Sequence, residues 1–158
     1  MPLDADRSTR LYAQTPSALR PGTRLGEFEL LSVLGVGGFG IVYLALDHDL
    51  EREVAVKEYM PASLAGRTET LHVSLRSKSD ADTFALGLKS FVNEAKLLAR
   101  FDHPSLLKVH RFWEANGTAY MAIDFIDGLD PVSYTHLRAH ENVLDIVSRL
   151  LLEKKKNK

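Results

Sequence analysis

Three runs of apolar positions in the first half of the chain show the pattern of β-strands. FELLSVLGVG begins at Phe28, GIVYLALDHD alternates from Gly40, and REVAVKEYM begins at Arg52. β-Branched and aromatic residues dominate these runs, and glycines separate the first run from the second. Pro61 has no amide hydrogen for a sheet ladder, so the third run ends there. The pattern predicts a strand, a tight glycine turn and two further strands.

Between residues 80 and 101 the apolar period changes to three or four residues. The recurring positions are Phe84, Leu88, Phe91, Ala95 and Leu98. This is the period of an amphipathic helix, and Ser79 or Asp80 can cap its start. Gly87 in the first half of the helix costs about 1 kcal/mol relative to alanine. The sequence predicts one long helix that ends before a His-Pro pair.

The segment after the helix predicts a β-hairpin. Asn116-Gly117 stands between two apolar runs, and this dipeptide is the strongest short signal for a tight hairpin turn. The predicted order of three strands, one helix and two strands gives an α+β fold with a five-stranded antiparallel sheet. Residues 62–80 are predicted as loop, apart from a short strand at LHVSL. Residues 1–27 have only scattered apolar positions, so we expect a flexible leader.

Composition narrows the possible partners. The 158 residues are 45% apolar, which suffices for the core of one domain. A net charge of -1 gives no basic field, so neither nucleic acid nor an anionic membrane surface is expected as a partner. The absence of cysteine excludes disulfides and thiolate metal sites. It also fits a reducing compartment, so we expect a cytoplasmic location. No run approaches the roughly 20 apolar residues of a membrane span, so we expect a soluble chain. A membrane anchor elsewhere in a full-length parent stays open.

The segment from Gly35 to Gly40 is the first candidate for chemistry, because four of its six positions are glycine. In a dinucleotide-binding unit the third glycine would open a helix, but Gly40 is followed by the strand-like run IVYLAL. A P-loop would need Gly-Lys-Ser or Gly-Lys-Thr, and neither follows. The remaining interpretations are a glycine-rich hairpin whose backbone amides approach nucleotide phosphates, and a glycine-rich hairpin without a ligand.

Leu34, the glycine loop with Val42, and Val54-Ala55-Val56-Lys57 follow one another on the predicted strands. In this order they resemble the N-terminal lobe of the protein kinase superfamily. The resemblance implies that Lys57 pairs with the α and β phosphates of ATP and that a glutamate of the next helix holds the lysine. Glu94, in EAKLLARFDHP, is the candidate. The alternative for Glu94 is an ordinary solvated helix residue.

YMAIDFIDGLD resembles the last strand and the hinge of the same lobe. By that resemblance Ile123 is the gatekeeper, Asp124 offers its backbone carbonyl to adenine, and Ile126 offers its amide and carbonyl. Asp130 stands where the family often places a ribose-binding residue. The full set of implied ATP-binding residues is Leu34, Gly35, Val36, Gly37, Gly38, Phe39, Gly40, Val42, Ala55, Lys57, Ile123, Asp124, Ile126 and Asp130.

Val42 and Ala55 would press on the adenine face, although each taken singly could equally be an ordinary core residue. The stretch VAVKEYMPASLAGR is most similar to bacterial serine/threonine kinases of the eukaryotic-like type. The implied activity is transfer of the γ-phosphoryl of ATP to hydroxyls of an unknown protein substrate, with Mg²⁺ expected in a full-length parent. Two alternatives stay open: a non-catalytic pseudokinase or nucleotide-binding interaction module, and a small-molecule kinase of similar fold.

The kinase motifs His-Arg-Asp and Asp-Phe-Gly do not occur in the chain. We therefore expect residues 28–131 to be a partial kinase domain without the C-terminal lobe, and the fragment to be inactive. From about Val132, VSYTHLRAHE resembles a translated adapter used in preparing DNA sequencing libraries, so residues 132–158 are interpreted as a non-native tail. His136 and His140 have helical zinc spacing but no third ligand nearby, and no metal site is expected.

Overall fold

The computed structural model describes residues 5–68, 70–100 and 108–125. Its helices are α1 (Ala5–Gln14) and α2 (Ala81–Arg100), and a 3₁₀ turn (Lys78–Asp80) precedes α2. Its strands are β1 (Arg24–Leu25), β2 (Phe28–Val36), β3 (Gly40–Asp47), β4 (Arg52–Tyr59), β5 (Ala65–Gly66), β6 (Ser74–Leu75), β7 (Val109–Ala115) and β8 (Thr118–Asp124).

One antiparallel sheet has the strand order β1-β2-β3-β4-β8-β7, and β5 with β6 forms a separate ribbon. The predicted turn between β7 and β8 is confirmed, since Asn116 and Gly117 have φ of 56° and 74°. Both values lie in the left-handed region that a two-residue hairpin turn requires. The predicted count of five strands is wrong by one, because Arg24 and Leu25 add β1 at the edge of β2. Of the strand predicted at LHVSL, Ser74–Leu75 forms β6.

The prediction of a flexible leader over residues 1–27 is corrected for the described part of that segment. It contains helix α1, the edge strand β1 and buried residues, among them Ala18 and Leu19. The scattered apolar residues of this segment cannot form a core of their own. They find burial against one face of the sheet, where Leu11 and Tyr12 of α1 also pack.

Helix α2 agrees with the predicted span to within one residue at each end, but its cap differs. The Ser77 hydroxyl accepts the Ser79 amide at 3.3 Å and caps the 3₁₀ turn, two residues before the predicted cap. Gly87 is explained by a close approach, because a Cβ there would lie 2.2 Å from the Tyr59 hydroxyl. That hydroxyl donates to the Phe84 carbonyl at 2.9 Å. Neither described helix is long and apolar enough to cross a membrane.

The sheet has two buried faces, which we call the front face and the back face. The front face packs against α2, and its core residues include Leu34, Val42, Leu44, Ala55, Tyr59, Met121 and Ile123 together with Phe91, Ala95 and Leu98 of α2. The back face packs against the N-terminal segment, and its core residues include Ile41, Tyr43, Ala45, Val54, Val56, Tyr120 and Ala122 together with Ala18 and Leu19. Each central strand therefore alternates between two cores, which fixes its register.

Candidate functional site

The glycine loop is the turn between β2 and β3. Its base is closed by a bond from the Gly37 amide to the Gly40 carbonyl at 2.9 Å, and the Met60 amide donates to the Phe39 carbonyl at 2.9 Å. Phe39 at the tip is 67% exposed. A Cβ at Gly38 would meet no atom within 4 Å, so packing does not explain that glycine. The open space allows a ligand to approach the backbone closely.

An apolar cluster lies on the front face, on the strands that flank the glycine loop and on their neighbours. Leu34, Val42, Ala55 and Ile123 are all buried in the same core cluster, as the predicted adenine-binding positions require. Ala55 stands opposite Ile123 on the neighbouring strand β8. The structure thus brings together four predicted residues from four different strands. Met121, which sequence analysis did not single out, belongs to the same cluster.

Lys57 lies on the front face in the middle of the sheet. Its partners across the two neighbouring strands are Val42 and Met121. The residue is only 3% exposed. A buried ammonium costs several kcal/mol unless an opposite charge or hydrogen bonds compensate it.

Glu94 is buried on the side of α2 that faces the sheet and is 4% exposed. Its neighbours Phe91 and Ala95 pack into the front-face cluster with Ala55 and Tyr59, the residues that flank Lys57 on its own face. The sheet–helix interface therefore contains both predicted charges. The interpretation of Glu94 as a solvated helix residue is wrong, because the residue is buried.

At the end of β8 the structure reaches the start of the predicted hinge. The Asp124 amide donates to the Lys108 carbonyl at 3.2 Å, and the Asp124 carboxylate lies 2.5 Å from the ring of His110. This carboxylate is therefore engaged within the sheet, whereas the predicted role of Asp124 uses the backbone carbonyl. Ile126 and Asp130 lie outside the described residues, as do the His-Pro pair and the segment 132–158.

Behind Lys57, on the back face, is a buried polar cluster that sequence analysis missed. Glu58, the next residue along β4, is fully buried and faces Arg67 with two hydrogen bonds, at 2.5 and 3.1 Å. Tyr43 donates to the same carboxylate at 2.9 Å. The two-residue period of a strand predicts that Glu58 and Lys57 point to opposite faces of the sheet. It does not predict which residue pairs with the buried Glu58 carboxylate.

Within the described parts of the chain, no group of three or more histidine or acidic side chains could hold a metal ion. Any magnesium ligands expected for a full-length parent are thus not assigned to these residues.

The chain is similar in sequence to serine/threonine protein kinases. No protein-family model matches the chain. Over 110 residues it is 33% identical to the serine/threonine-protein kinase PknJ of Mycobacterium tuberculosis, a match that covers 70% of this chain and 16% of PknJ. It is 27% identical over 109 residues to the serine/threonine-protein kinase PrkC of Bacillus subtilis, covering 69% of this chain and 14% of PrkC.

Two solved structures show the same fold. The apo form of PpkA-294 is 51% identical, with a TM-score of 0.70, over 80% of this chain and 44% of that one. The PknI kinase domain of Mycobacterium tuberculosis is 26% identical, with a TM-score of 0.51, over 77% of this chain and 41% of that one. The chain therefore spans less than half of each of these two solved chains and about one sixth of PknJ. Its relatives in sequence include bacterial serine/threonine protein kinases.

Proposed function

We propose that this chain is the ATP-binding N-terminal lobe of a serine/threonine protein kinase, whose full-length parent transfers the γ-phosphoryl of ATP to protein hydroxyls. The observation that carries the proposal is the burial of Lys57 and Glu94 in one sheet–helix interface, next to the apolar cluster of the predicted adenine-binding positions. The similarity to PknJ and PrkC supports the same function.

Each part of the site meets one requirement of ATP. We assign the adenine to the apolar cluster of Leu34, Val42, Ala55 and Ile123, because a flat purine needs apolar side chains against its faces. The glycine loop presents backbone amides, and the open space at Gly38 lets phosphates come close to them. The parent's mechanism is then positioning and charge neutralisation, with little covalent work for the protein.

We assign the roles of the two charges from their burial in the same interface. Lys57 extends from the central strand of the front face, where its ammonium neutralises the α and β phosphates. Glu94, on the helix side of the same interface, holds the Lys57 ammonium and offsets the cost of its burial. Movement of α2 relative to the sheet would separate the two groups, so the position of α2 determines whether Lys57 is ready to bind phosphate.

We assign the hinge contacts to the backbone of Asp124 and Ile126, and the ribose contact to Asp130. The assigned contact uses the Asp124 backbone carbonyl, whereas the Asp124 carboxylate is engaged by His110. Mg²⁺ bound in the parent would neutralise charge on the β and γ phosphates. This chain contains neither His-Arg-Asp nor Asp-Phe-Gly, so we expect it to bind ATP without transferring phosphate.

A lysine-reactive ATP analogue tests the assignment of Lys57. In an acyl phosphate of ATP, the lysine amine attacks the acyl carbon, an amide forms and ATP leaves. We expect peptide mass spectrometry to find the acyl group on Lys57, and excess ATP to suppress this labelling. Exposed Lys89 on α2 is the internal control, since its slower labelling should not respond to ATP. Labelling of Lys57 that ATP does not suppress, or labelling of exposed lysines alone, would contradict the assignment.

The non-catalytic alternative makes a different prediction for the full-length parent. A pseudokinase module would give the same ATP-protected labelling of Lys57 but no transfer of phosphate to protein. Incubation of the full-length parent with γ-labelled ATP and a mixture of proteins separates the two. Labelled phosphoserine or phosphothreonine supports the kinase, and protected Lys57 without phosphoprotein supports the module.

A further inference from the structure

The buried polar cluster behind Lys57 joins five parts of the chain. We define the back-face cluster as Tyr43, Glu58, Arg67 and Tyr120 together with the backbone of Ser17 and Leu19. The Arg67 guanidinium donates to the Glu58 carboxylate, to the Ser17 carbonyl at 2.6 Å and to the Leu71 carbonyl at 3.0 Å. The Leu19 amide donates to the Tyr43 hydroxyl at 3.0 Å. Every charged member is thus held by several partners.

The cluster lies directly behind the ATP site in the strand register. Tyr43, Glu58 and Tyr120 come from the neighbouring strands β3, β4 and β8, and each is adjacent in sequence to a front-face residue: Val42, Lys57 and Met121. Glu58 stands opposite Tyr120 in the sheet. Because successive residues of a strand point to opposite faces, fixing the back-face residue also fixes the neighbouring front-face residue.

Two features show that the cluster is more than apolar packing. Glu58 is fully buried, and Arg67 is 9% exposed, so the carboxylate and guanidinium lie in a low-dielectric environment. Bidentate pairing of Arg67 with Glu58 restricts both the distance and the angle of the two groups. The pair therefore adds a directional constraint on Glu58 to the register that the two cores already fix for β4.

We propose that Glu58 and Arg67 are positioning residues of the ATP site. They hold β4 from the back face so that Lys57 stays in place for the phosphates, and residues 17–19 of the N-terminal segment complete the arrangement. This inference rests on the proposed function. It adds a role for the N-terminal segment in nucleotide binding, although that segment lies on the opposite face of the sheet.

The test compares ATP with adenosine, because only ATP has phosphates for Lys57. Glu58→Gln should weaken the affinity of the chain for ATP about tenfold and leave the affinity for adenosine within about twofold. The matched control is Glu53→Gln, an exposed glutamate on the same strand, which should change neither affinity. Titration calorimetry at a temperature where circular dichroism shows each variant to be folded gives both dissociation constants.

Tyr43→Phe is the second variant, in case Glu58→Gln does not fold. It removes the hydroxyl that joins Leu19 to Glu58 but keeps the pair with Arg67, and it should weaken ATP binding about threefold with adenosine unchanged. Equal losses for ATP and adenosine would show a merely structural role and overturn the inference, as would unchanged ATP affinity in both variants. A wild-type chain that binds no ATP would overturn the proposed function as well.

Discussion

Arg67→Met lowers the free energy of unfolding by about 3–5 kcal/mol, which is the cost of leaving a fully buried carboxylate without its partner. The substitution also removes the donors to the Ser17 and Leu71 carbonyls. Methionine fills much of the volume of the arginine side chain. The loss of stability is therefore due mainly to the missing charge and hydrogen bonds, and less to a cavity. Urea denaturation followed by circular dichroism measures it.

Two further variants make this result specific. Arg52→Met removes a half-exposed arginine whose nearest carboxylate, on Asp47, is 4.0 Å away, and it should cost less than about 1 kcal/mol. Glu58→Leu combined with Arg67→Met removes both charges and should recover most of the lost stability. If Arg67→Met costs no more than Arg52→Met, the pair does not hold the back face.

Alkaline pH destabilises the chain through two buried tyrosines. Burial, and secondarily the charge of Glu58, raises the pKa of Tyr43 well above the ordinary value of 10.0. The same two causes raise the pKa of Tyr120. Above pH 10 the unfolded chain releases these phenolic protons while the folded chain retains them. Stability is therefore fully present below pH 10 and falls as the pH rises toward the raised values.

The decline begins near pH 10, and its slope approaches about 1.4 kcal/mol per pH unit for each tyrosine, or roughly 3 kcal/mol per unit for the two together, once the unfolded phenols are fully ionised. Urea midpoints at pH 8, 9, 10 and 11 measure it. Other groups that titrate in this range also contribute, so the informative quantity is the difference between wild type and variant. Tyr43→Phe should flatten the decline above pH 10 relative to wild type. Identical pH profiles for wild type and variant would show that Tyr43 ionises as easily in the folded chain as in the unfolded one.

The sequence predicts most of the sheet and the long helix because their signals are local. Period-two runs give β2, β3 and β4, an Asn-Gly pair gives the β7–β8 turn, and the change of period gives α2. The burial of the N-terminal segment could not be predicted from local patterns. The burial of Leu19 depends on a sheet face formed by strands from distant parts of the chain, and no local pattern shows that contact.

The candidate site also has one part that the sequence predicts and one part that it does not. Lys57 and Glu94 were identified because an ordered series of motifs accompanies them, and the structure places both in one interface. The back-face cluster carries no such motif. Glu58 is a charged residue next to Lys57, and its partner Arg67 lies beyond β4 in a region predicted as loop. Only the folded chain shows that this loop turns back across the sheet.

Gly87 is a further residue whose role depends on contacts between distant parts of the chain. Its cost in a helix was evident from the sequence, but its reason is the hydroxyl of Tyr59, which lies too close for any side chain at that position. Helix propensity describes an isolated helix, whereas the glycine at position 87 is explained by the packing of α2 on the sheet.

The central claim is that Lys57 binds the phosphates of ATP, and the most direct measurement is the ATP affinity of wild type, Lys57→Met and Lys89→Met. A fluorescent ATP analogue titrated against each folded chain gives the three dissociation constants. Lys57→Met removes a buried ion pair with phosphate, so its affinity for the ATP analogue should be at least tenfold weaker than that of wild type, which is about 1.4 kcal/mol. Lys89 is exposed, so Lys89→Met should bind the analogue as wild type does. Equal affinity of wild type and folded Lys57→Met would contradict the claim.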